Sequence, residues 1–462
     1  MNVTTNVTTG DMTAARDRRA HLQKEFSARH GGALVSYTLN IAGPVKRFPP
    51  GDRCFYEGKR EIEKFFAKQG SAVHDSVLTD APSGLECLWA VSADAVELKS
   101  AMSAIEESHP LGRLFDIDVL SVDVLSNDCK KIPRAAGAER ACLVCGAVGH
   151  GCARSRTHPL EEVLTFTRRI IDRYFAKKDA GIISACATRA LLYELAATPK
   201  PGLVDRLNNG AHRDMDFYTF IDSIVCLSPY FGDMASAGIQ NRDIPPEELL
   251  AKLRRRGINA EEEMFAATGG VNTQKGIIFS LGIICAACGY LGLPPDSANA
   301  ILDTAGKIAA PALQSGFQGI TASNACTHGE KAFTKYAVKG IRGEAAAGFP
   351  SVRKFALPAF NSALGRGASL GDAGVETLLH LLAHLGDTNV IGRAGPEVLG
   401  EIQRGLREFL DTQPNNVAVL KHAAGLDASF IEKNISPGGC ADLLAVTYML
   451  HFVSNSVEEV IP

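Results

Sequence analysis

A chain of 462 residues is longer than one ordinary hydrophobic core supports, so we expect at least two domains. Hydrophobic residues make up 46% of the chain and charged residues 21%, which is typical of a globular protein and excludes a disordered one. The net charge of −3 argues against a nucleic-acid footprint over the whole surface, so any phosphate-binding site must be local.

The cysteines and the hydropathy pattern indicate in which cellular compartment the protein is expected. Twelve cysteines are spread over a chain much larger than a disulfide-stapled scaffold, and the first residues contain no apolar stretch typical of a secretory signal. These features predict a reducing, cytoplasmic location. The uncharged stretch 276–295 has the length of a membrane span, but its four glycines and final Pro-Pro favour a helix buried inside a bundle. We therefore expect neither a membrane nor a nucleic acid as partner.

The chain up to about residue 178 alternates between β-type and helical patterns. The runs 33–41, 85–91 and 112–120 are rich in β-formers, and the segment 95–107 has a helical pattern. This order predicts a βαβ-like unit in a mixed α+β domain. A helix over 159–178 would close this half and serve as a connector.

Beyond residue 178, almost every apolar pattern has a period near 3.6 residues, which predicts an all-α helical bundle. The predicted helices cover 181–197, 217–230, 246–256, 275–291, 297–314, 373–386, 396–412 and 441–454. We therefore expect residues 1–30 to form a tail and first helix, 31–177 a first domain and 178–462 a second.

Two aspartates stand two residues apart in the third β-type run. Asp116 and Asp118 would point to one face of the strand, with Phe115, Ile117 and Val119 on the other. Adjacent carboxylates repel each other unless a cation lies between them, so the pair could hold Mg²⁺ for nucleotidyl transfer. An exposed strand face often carries two acids as well, and the spacing alone leaves both interpretations open.

Three cysteines and a histidine follow in a predicted loop. Cys142, Cys145, Cys152 and His158 have a C-x2-C first arm that suits zinc, and three thiolates with one imidazole make a sound tetrahedral site. Ordinary reduced cysteines are the alternative.

Basic residues near these motifs could bind anions. Arg140, Arg154 and Arg156 are interleaved with the cysteines, and Lys46 follows the Gly-Pro turn after the first strand. These cations could reach a polyphosphate, although Lys46 could also do no more than cap an exposed turn.

The segment 198–216, TPKPGLVDRLNNGAHRDMD, concentrates helix breakers and charges between two predicted helices. This composition is typical of a loop held between rigid elements, a common position for a functional site. Its cations suit phosphate oxygens, and its carboxylates suit Mg²⁺ or a proton in transfer. The candidate residues are Lys200, Asp205, Arg206, Asn209, His212, Asp214 and Asp216.

Five further segments of the second half are too polar and glycine-rich for helix interiors. Each could be a helix cap or turn, but six such segments exceed what capping needs and indicate one site at one end of the bundle. Backbone amides beside Lys275, for example, could cradle an anion. The candidate residues are Asn272, Lys275, Glu330, Arg342, Glu344, Asp387, Asn389, Arg393, Gly438 and Gly439.

These motifs resemble two known families joined in one chain. LVSYTLNIAGPVK, GRLFDIDV and the cysteine–arginine block are similar to apo-citrate-lyase phosphoribosyl-dephospho-CoA transferase, the holo-acyl-carrier-protein synthase of citrate lyase. ALLYELAATPKPGLVDRLNNGAHRDMDF, GGVNTQKGIIFSLG and NISPGGCADLLA resemble triphosphoribosyl-dephospho-CoA synthase. The resemblance covers nearly the whole chain past residue 30, although Gln274 replaces the family's usual histidine and Ala394 a glycine.

For the second half, the resemblance implies that ATP is joined to 3′-dephospho-CoA with release of adenine, as the 2′-hydroxyl of the CoA ribose attacks C1 of the ATP ribose. This step needs a base, a donor for the leaving adenine and cations for the triphosphate. The candidates for base or Mg²⁺ ligand are Asp205, Asp214, Asp216, Glu330 and Asp387. Those for phosphate binding include Lys200, Arg206, Lys275, Arg342 and Arg393.

For the first half, the resemblance implies transfer of that product to a serine of the apo acyl carrier protein, the gamma subunit of citrate lyase, with release of pyrophosphate. Mg²⁺ on Asp116 and Asp118 would then activate the attacking and leaving oxygens. Two alternatives stay open. Only the synthase half could be active, serving even a malonate decarboxylase carrier, or the chain could be a non-catalytic scaffold that binds the carrier protein.

Overall fold

The computed structural model describes residues 6–123, 128–135, 140–293, 295, 297–316, 334–336 and 338–456. The chain divides into two compact units: an N-terminal unit of Met1–Phe175 with Glu459–Pro462, and a C-terminal unit of Ala176–Glu458. A five-stranded sheet with helices forms the first, and the second is mostly helical. The predicted order of an α+β part followed by an all-α part is therefore confirmed.

Among the described residues, the N-terminal unit is built from five strands, four complete α-helices and the first part of a fifth. The strands are β1 (Ala33–Leu39), β2 (Val73–Ala81), β3 (Gly84–Val91), β4 (Phe115–Asp123) and β5 (Asp128–Lys131). The helices are α1 (Thr9–Arg29), α2 (Pro49–Gln69), α3 (Ala95–Ser108) and α4 (Gly149–Ser155).

The strand order is β2-β3-β1-β4-β5, and every hydrogen-bonded pair is antiparallel. The predicted βαβ unit is present only in split form: β3 and β4 run parallel to each other, but β1 lies between them. Helix α3 carries the chain across this intervening strand, so the two parallel strands are not hydrogen-bonded to each other. With α2 and β2, which the sequence analysis did not predict, the order becomes the β-α-β-β-α-β arrangement of ferredoxin-like folds.

The two faces of this sheet differ in polarity, as the alternation of side chains dictates. One face holds the core, with Tyr37, Trp89 and Ile117 buried. On this face α2 approaches β1 closely, because a Cβ at Gly58 would lie 2.0 Å from the Tyr37 hydroxyl. The opposite face is apolar at one end, where Phe26 of α1 packs, and polar at the other. The predicted separation of Asp116 and Asp118 from their apolar neighbours is confirmed.

The C-terminal unit contains helices of varied length. They are α5 (Leu160–Ala196, which begins in the N-terminal unit), α6 (Phe217–Gln240), α7 (Pro246–Ala267), α8 (Lys275–Leu291), α9 (Ala298–Gly316), α10 (Gly340–Ala346), α11 (Leu357–Gly365), α12 (Leu370–Leu382), α13 (Thr388–Ala394), α14 (Pro396–Asp411), α15 (Asn416–Glu432) and α16 (Gly438–Asn455). A π-helical turn, Val352–Ala356, precedes α11.

The connector differs from the prediction. The sequence analysis placed separate helices over 159–178 and 181–197, whereas α5 runs without a break from Leu160 to Ala196. No proline interrupts this stretch, and a single glycine at 181 is tolerated within a helix. The predicted domain border at 177/178 therefore falls inside a helix and stays a prediction.

Helix α8 is the uncharged segment that matched a membrane span in length. Its side chains from Ile277 to Gly289 are almost all buried among other helices, including Cys285 and Cys288. The expectation of a helix buried within the bundle is confirmed. Within the described residues, no helix is long and apolar enough to cross a membrane.

Candidate functional sites

The polar end of the sheet in the N-terminal unit carries the two aspartates of β4. Asp118 Oδ2 lies 2.6 Å from Lys131 Nζ, and Asp116 Oδ1 accepts a hydrogen bond from Arg140 Nη1 at 2.9 Å. Their side chains are 30% and 39% exposed. Thr38 of β1 stands directly opposite Asp116 in the sheet and shares its face. The structure thus places both predicted carboxylates on an accessible surface, each paired with a cation.

Arg140 belongs to a buried network that the sequence analysis did not foresee. It contacts Glu106 of α3 as well as Asp116, and Arg134 contacts Glu106 from another side. Glu106 is 2% exposed and also accepts a hydrogen bond from the backbone N–H of Ile117 at 2.8 Å. The position of Asp116 therefore depends on an arginine whose own orientation is fixed by a buried carboxylate. Only its closeness in the sequence to the cysteine block marked this arginine.

The other predicted cations of this unit differ in availability. The Lys46 ammonium donates to the backbone carbonyl of Ile41, and partial burial lowers its pKa. Arg154 lies in the short helix α4, and Arg156 follows it with a left-handed φ of 49°. Both arginine side chains are exposed, and within the described residues neither has an ion-pair partner. These two arginines are thus free to bind an anion from solution.

The predicted cysteine–histidine set is brought together in space. The sulfurs of Cys142, Cys145 and Cys152 and a ring nitrogen of His158 all lie within 4.8 Å of one another. Hydrogen bonds from the backbone N–H of Ala147 and, to a smaller extent, from His158 lower the pKa of Cys145 to about 6. The neighbouring Cys145 raises the pKa of Cys152 to about 11. The loop thus favours one thiolate even among closely spaced sulfurs.

In the C-terminal unit, the loop 197–216 is ordered by buried charges. Lys200 is 1% exposed, and its ammonium lies 2.5 Å from the carboxylate of Glu194. Asp205 is 2% exposed and accepts backbone hydrogen bonds from residues 200, 207 and 208 at 2.9, 2.7 and 3.2 Å. These two predicted site residues shape the loop from within. Glu194, at the end of α5, was missed because it reads as an ordinary helical residue.

Asp427 of α15 anchors the same loop from outside. Its carboxylate accepts hydrogen bonds from the backbone N–H of Gly202 at 2.9 Å and from the Asn208 amide at 2.8 Å. Gly202 has a φ of 68°, and a Cβ there would meet the carbonyl oxygen of Ile435 at 2.1 Å. Only glycine fits this position. No sequence motif marked Asp427, because α15 itself was not predicted.

The later residues of the loop have mixed environments. His212 pairs with the Ser436 hydroxyl at 2.9 Å, and burial, followed by the charge of Arg393, lowers its pKa. Arg393 donates to the backbone carbonyl of Ala211 at 3.2 Å. Asp214 is 65% exposed, and Asp216 is the N-cap of α6. Asn209 and Arg206 are exposed, and Arg206 donates to the carbonyl of Ala196 at 2.9 Å.

Asp387 joins the N-termini of two helices. One oxygen accepts from the backbone N–H groups of Asn389 and Val390, and the other accepts from Cys440 of α16 at 2.9 Å. The glycines of the Pro-Gly-Gly turn are needed for this approach. A Cβ at 438 would lie 2.6 Å from the Asn389 amide, and one at 439 would lie 2.9 Å from Asp387. Burial raises the pKa of Asp387 in spite of these hydrogen bonds.

Asp442, one turn into α16, is the most distinctive carboxylate of this unit. Within the described residues, it has no hydrogen-bond or ion-pair partner. Burial, followed by the negative charges of Asp387 and Glu194, raises its pKa well above the usual range. One of its oxygens lies so close to the start of α8 that a Cβ at Gly276 would come within 1.9 Å of it. The sequence analysis quoted this aspartate but did not select it.

The remaining predicted residues of this unit have varied contacts. Lys275 pairs with Glu261 at 2.7 Å, and its backbone N–H donates to Asn272. Glu344 accepts two hydrogen bonds from Ser351, and burial raises its pKa. Arg342 is half-buried on α10 and has no ion pair within the part of the chain that the structure describes. Glu330 lies outside the described residues.

The two positions at which this chain departs from the family pattern have local structural explanations. Gln274 is 3% exposed, and its side-chain oxygen accepts a hydrogen bond from Ser223 at 2.8 Å, which ties the start of α8 to α6. Ala394 ends α13, and the following Gly395 supplies the φ of 91° that the turn requires. Neither substitution thus disturbs the local backbone.

The chain thus joins a ferredoxin-like unit with an acidic strand to a helical unit with converging helix N-termini and buried carboxylates, and the family matches identify both units as transferases. Residues 7–174 match the family CitX, apo-citrate lyase phosphoribosyl-dephospho-CoA transferase. Residues 180–460 match the family CitG, ATP:dephospho-CoA triphosphoribosyl transferase.

Curated relatives match either the whole chain or its second part. The protein CitXG of Haemophilus influenzae is 32% identical over 455 residues, covering 96% of this chain and 95% of the relative. CitXG of Leuconostoc mesenteroides subsp. cremoris is 33% identical, covering 94% and 95%. A probable 2-(5″-triphosphoribosyl)-3′-dephosphocoenzyme-A synthase of Pectobacterium carotovorum is 41% identical over 62% of this chain and 94% of its own length. The chain belongs to the CitXG family, in which the two transferases are fused, and the resemblance inferred from the motifs is confirmed.

Proposed function

We propose that the C-terminal unit makes 2′-(5″-triphosphoribosyl)-3′-dephospho-CoA from ATP and 3′-dephospho-CoA, and that the N-terminal unit transfers it to a serine of the apo acyl carrier protein of citrate lyase. Adenine leaves in the first reaction and pyrophosphate in the second. The family matches, which cover the two units separately and the full length together, support this assignment. The chain is thus a bifunctional enzyme of citrate lyase maturation.

The observation that carries the synthase assignment is the half-buried carboxylate of Asp442 beside the N-terminus of α8. A base must take the proton of the attacking 2′-hydroxyl, and the Asp442 carboxylate, which has no hydrogen-bond or ion-pair partner among the described residues, has its oxygens available to accept that proton. Its ionised form, beside the positive end of the α8 helix dipole, would also stabilise the oxocarbenium-like ribose carbon during loss of adenine. We therefore assign the role of general base to Asp442.

The contacts of the remaining carboxylates indicate which of them shape the site and which can take part in the reaction. Asp205, Asp216 and Asp387 are committed to backbone N–H groups, so we assign them to shaping the loop and the helix ends. Burial raises the pKa of Glu344, which suits a residue that keeps a proton to donate to the leaving adenine. The charges of Glu344 and Asp442 both contribute to raising the pKa of Cys440, so the two carboxyls lie in the same region of the unit.

The triphosphate needs cations and helix N-termini. Arg342 carries no competing carboxylate among the described residues, and Lys275 can exchange its partly exposed contact with Glu261 for a phosphate oxygen. The N-terminus of α8 adds backbone N–H groups and a favourable helix dipole. Mg²⁺, which prefers oxygen ligands, would supply further neutralisation of the bound triphosphate.

For the transfer reaction, we propose nucleotidyl-transfer chemistry at Asp116 and Asp118. Their oxygens fit Mg²⁺ as a donor set, and both lie on an accessible strand face. Ion pairs with this degree of exposure contribute only about 0–1 kcal/mol to stability. Replacing the contacts of the two aspartates with Lys131 and Arg140 by contacts with a metal–substrate complex therefore costs little free energy. Arg154 and Arg156, exposed and unpaired among the described residues, would hold phosphates of the incoming prosthetic group.

The test is mass spectrometry of purified apo acyl carrier protein after incubation with the full chain, ATP, Mg²⁺ and 3′-dephospho-CoA. We expect the carrier serine to gain the phosphoribosyl-dephospho-CoA group, with adenine and pyrophosphate in the solution. Adenine without carrier modification would show that only the synthase is active. An unmodified carrier with no adenine release would favour the scaffold and overturn the proposal.

A further inference from the structure

We propose that Cys142, Cys145, Cys152 and His158 form a structural zinc site in the N-terminal unit. No step of the proposed reactions uses these residues. The three sulfurs and one imidazole nitrogen lie within 4.8 Å of one another, and this is the only such group within the described residues. Ligands at about 2.0–2.3 Å from a tetrahedral zinc ion stand roughly 3.5–4 Å apart, so a small contraction of the group completes the site.

The histidine supplies the strongest single observation. His158 Nε2 is buried and makes no hydrogen bond of regular geometry within the described residues, and its polar neighbour is the Cys145 sulfur, a weak partner. A buried nitrogen with so weak a partner destabilises a fold unless something stronger binds it. Nε2 faces the sulfurs, so a metal ion among them would satisfy this nitrogen.

The ring orientation is fixed from the other side. Nδ1 of His158 lies 3.2 Å from the carboxylate of Glu162, in the first turn of α5. A carboxylate on one ring nitrogen commonly orients the other nitrogen of a metal-binding histidine and raises its basicity as a ligand. Glu162 thus has the role of a positioning residue for the site.

The backbone around the first two cysteines is already folded into a tight turn. Ala141 and Val148 form an isolated β-bridge, and the N–H of Gly146 donates to the carbonyl of Cys142 at 3.1 Å. Gly146 has a φ of 74°, which favours glycine there. Cys145 and Cys152 have their sulfurs 3.5 Å apart. The turn and the following helix therefore bring the thiols close together, so that only a small contraction is needed to bind zinc.

The site has a structural consequence for the transferase surface. It would join the loop after Arg140 to the start of α5, and Arg140 holds Asp116. It would also fix the segment that carries Arg154 and Arg156. Zinc with four protein ligands leaves no open position, so it would stabilise the loop and take no part in chemistry.

The experiment measures zinc in the untagged full-length protein by elemental mass spectrometry, together with the visible spectrum after replacement by Co²⁺. We expect about one zinc per chain, and strong visible absorption of tetrahedral cobalt–thiolate coordination. Cys142→Ser and Cys152→Ser should lower the bound zinc to below about 0.2 equivalents, whereas Cys129→Ser, in the same unit but outside the group, should leave it unchanged.

Removal of zinc from the wild-type protein by a chelator should increase hydrogen exchange in residues 140–158 and leave exchange in the C-terminal unit unaltered. A wild-type protein that binds neither zinc nor cobalt would overturn the proposal, as would a Cys145–Cys152 disulfide in protein kept under reducing conditions. The cobalt spectrum needs no variant, so misfolding of a cysteine variant does not leave the proposal undecided. Because the readout is metal content, failure here is separable from failure of the proposed reactions.

Discussion

The acidic residues of the two units have opposite environments. On β4, Asp116 and Asp118 are partly exposed and each pairs with a cation. In the helical unit, Asp387 is buried and Asp442 half-buried, and among the described residues backbone N–H groups take the place of cations at Asp387 while Asp442 has no partner. Burial raises the pKa of both Asp387 and Asp442. The comparison indicates that metal binding suits the first surface and proton transfer suits the second.

The largest effect should come from Asp442→Asn. Loss of a general base typically costs about 10²–10⁴-fold in rate, so adenine release should fall by that factor, as measured with ATP and 3′-dephospho-CoA. Carrier loading from added triphosphoribosyl intermediate should stay normal, because this residue belongs to the other unit. Asp411→Asn, an exposed position at the end of α14, is the matched control. Adenine release within about tenfold of wild type, or ~1.4 kcal/mol, would remove Asp442 from the catalytic role.

The same substitution should alter the pH dependence of stability. Because the folded-state pKa of Asp442 is raised, its contribution is fully present below the unfolded pKa of about 4 and is lost as pH rises through the folded value. Asparagine does not ionise, so the variant should melt higher than wild type at pH 8, with a smaller difference at pH 5. A gain of about 1 kcal/mol corresponds to roughly 2–4 °C in Tm. A lower Tm of the variant at pH 8 would contradict this account of the carboxylate.

The second largest effect should be a loss of transfer to the carrier protein when either aspartate of β4 is replaced. Asp116→Asn and Asp118→Asn should each lower transfer to the carrier by about 100-fold or more, because a bound metal loses a charged ligand. Adenine release should be unchanged. Asp17→Asn, exposed on α1, serves as the control. Normal carrier loading by both variants, measured by mass spectrometry over time, would exclude nucleotidyl transfer on this strand.

A smaller effect should follow from Gly276→Ala. The added Cβ would stand within 1.9 Å of the Asp442 carboxylate and must displace it. A displacement of about 1 Å at a catalytic group can cost up to ~100-fold, so we expect adenine release to fall by 10- to 100-fold. Gly405→Ala on α14 has nothing within 4 Å of its new Cβ and should keep full activity. Equal activities of the two variants would show that the contact between α8 and Asp442 is unimportant.

The smallest effect should come from dividing the chain at α5. Ile171 and Phe175 pack in the core of the N-terminal unit, whereas Ile183 and Ala187 pack in that of the C-terminal unit. A fragment of residues 176–462 should therefore keep adenine release within about threefold of the full chain, with a Tm lowered by only ~2–4 °C from fraying of the cut helix. Residues 1–175 should still load the carrier from added intermediate. An insoluble or inactive second fragment would show that α5 must be continuous.

Much of this organisation could be predicted from the sequence. Period-two alternation placed Asp116 and Asp118 opposite a buried face, and an uncharged glycine-rich run predicted the buried helix α8. These features are local, because a strand or helix fixes the direction of each side chain from its own backbone. The motifs also sufficed to recognise both families. The spacing of Cys142, Cys145, Cys152 and His158 identified a group that the fold does bring together.

Other features arose only from tertiary packing. Glu194, Asp427 and Asp442 lie in helices where their spacing looks ordinary. Asp427 binds a loop more than 200 residues away, Glu194 pairs with a buried lysine of the loop that follows its helix, and Asp442 lies between the starts of two helices. Asp205 and Asp387 looked like free acids, yet the fold directs backbone N–H groups at them. Sequence determines which groups a chain carries and which face they share. Whether a carboxylate is paired, enclosed or left without a partner depends on contacts between distant segments, and these set its pKa and its chemistry.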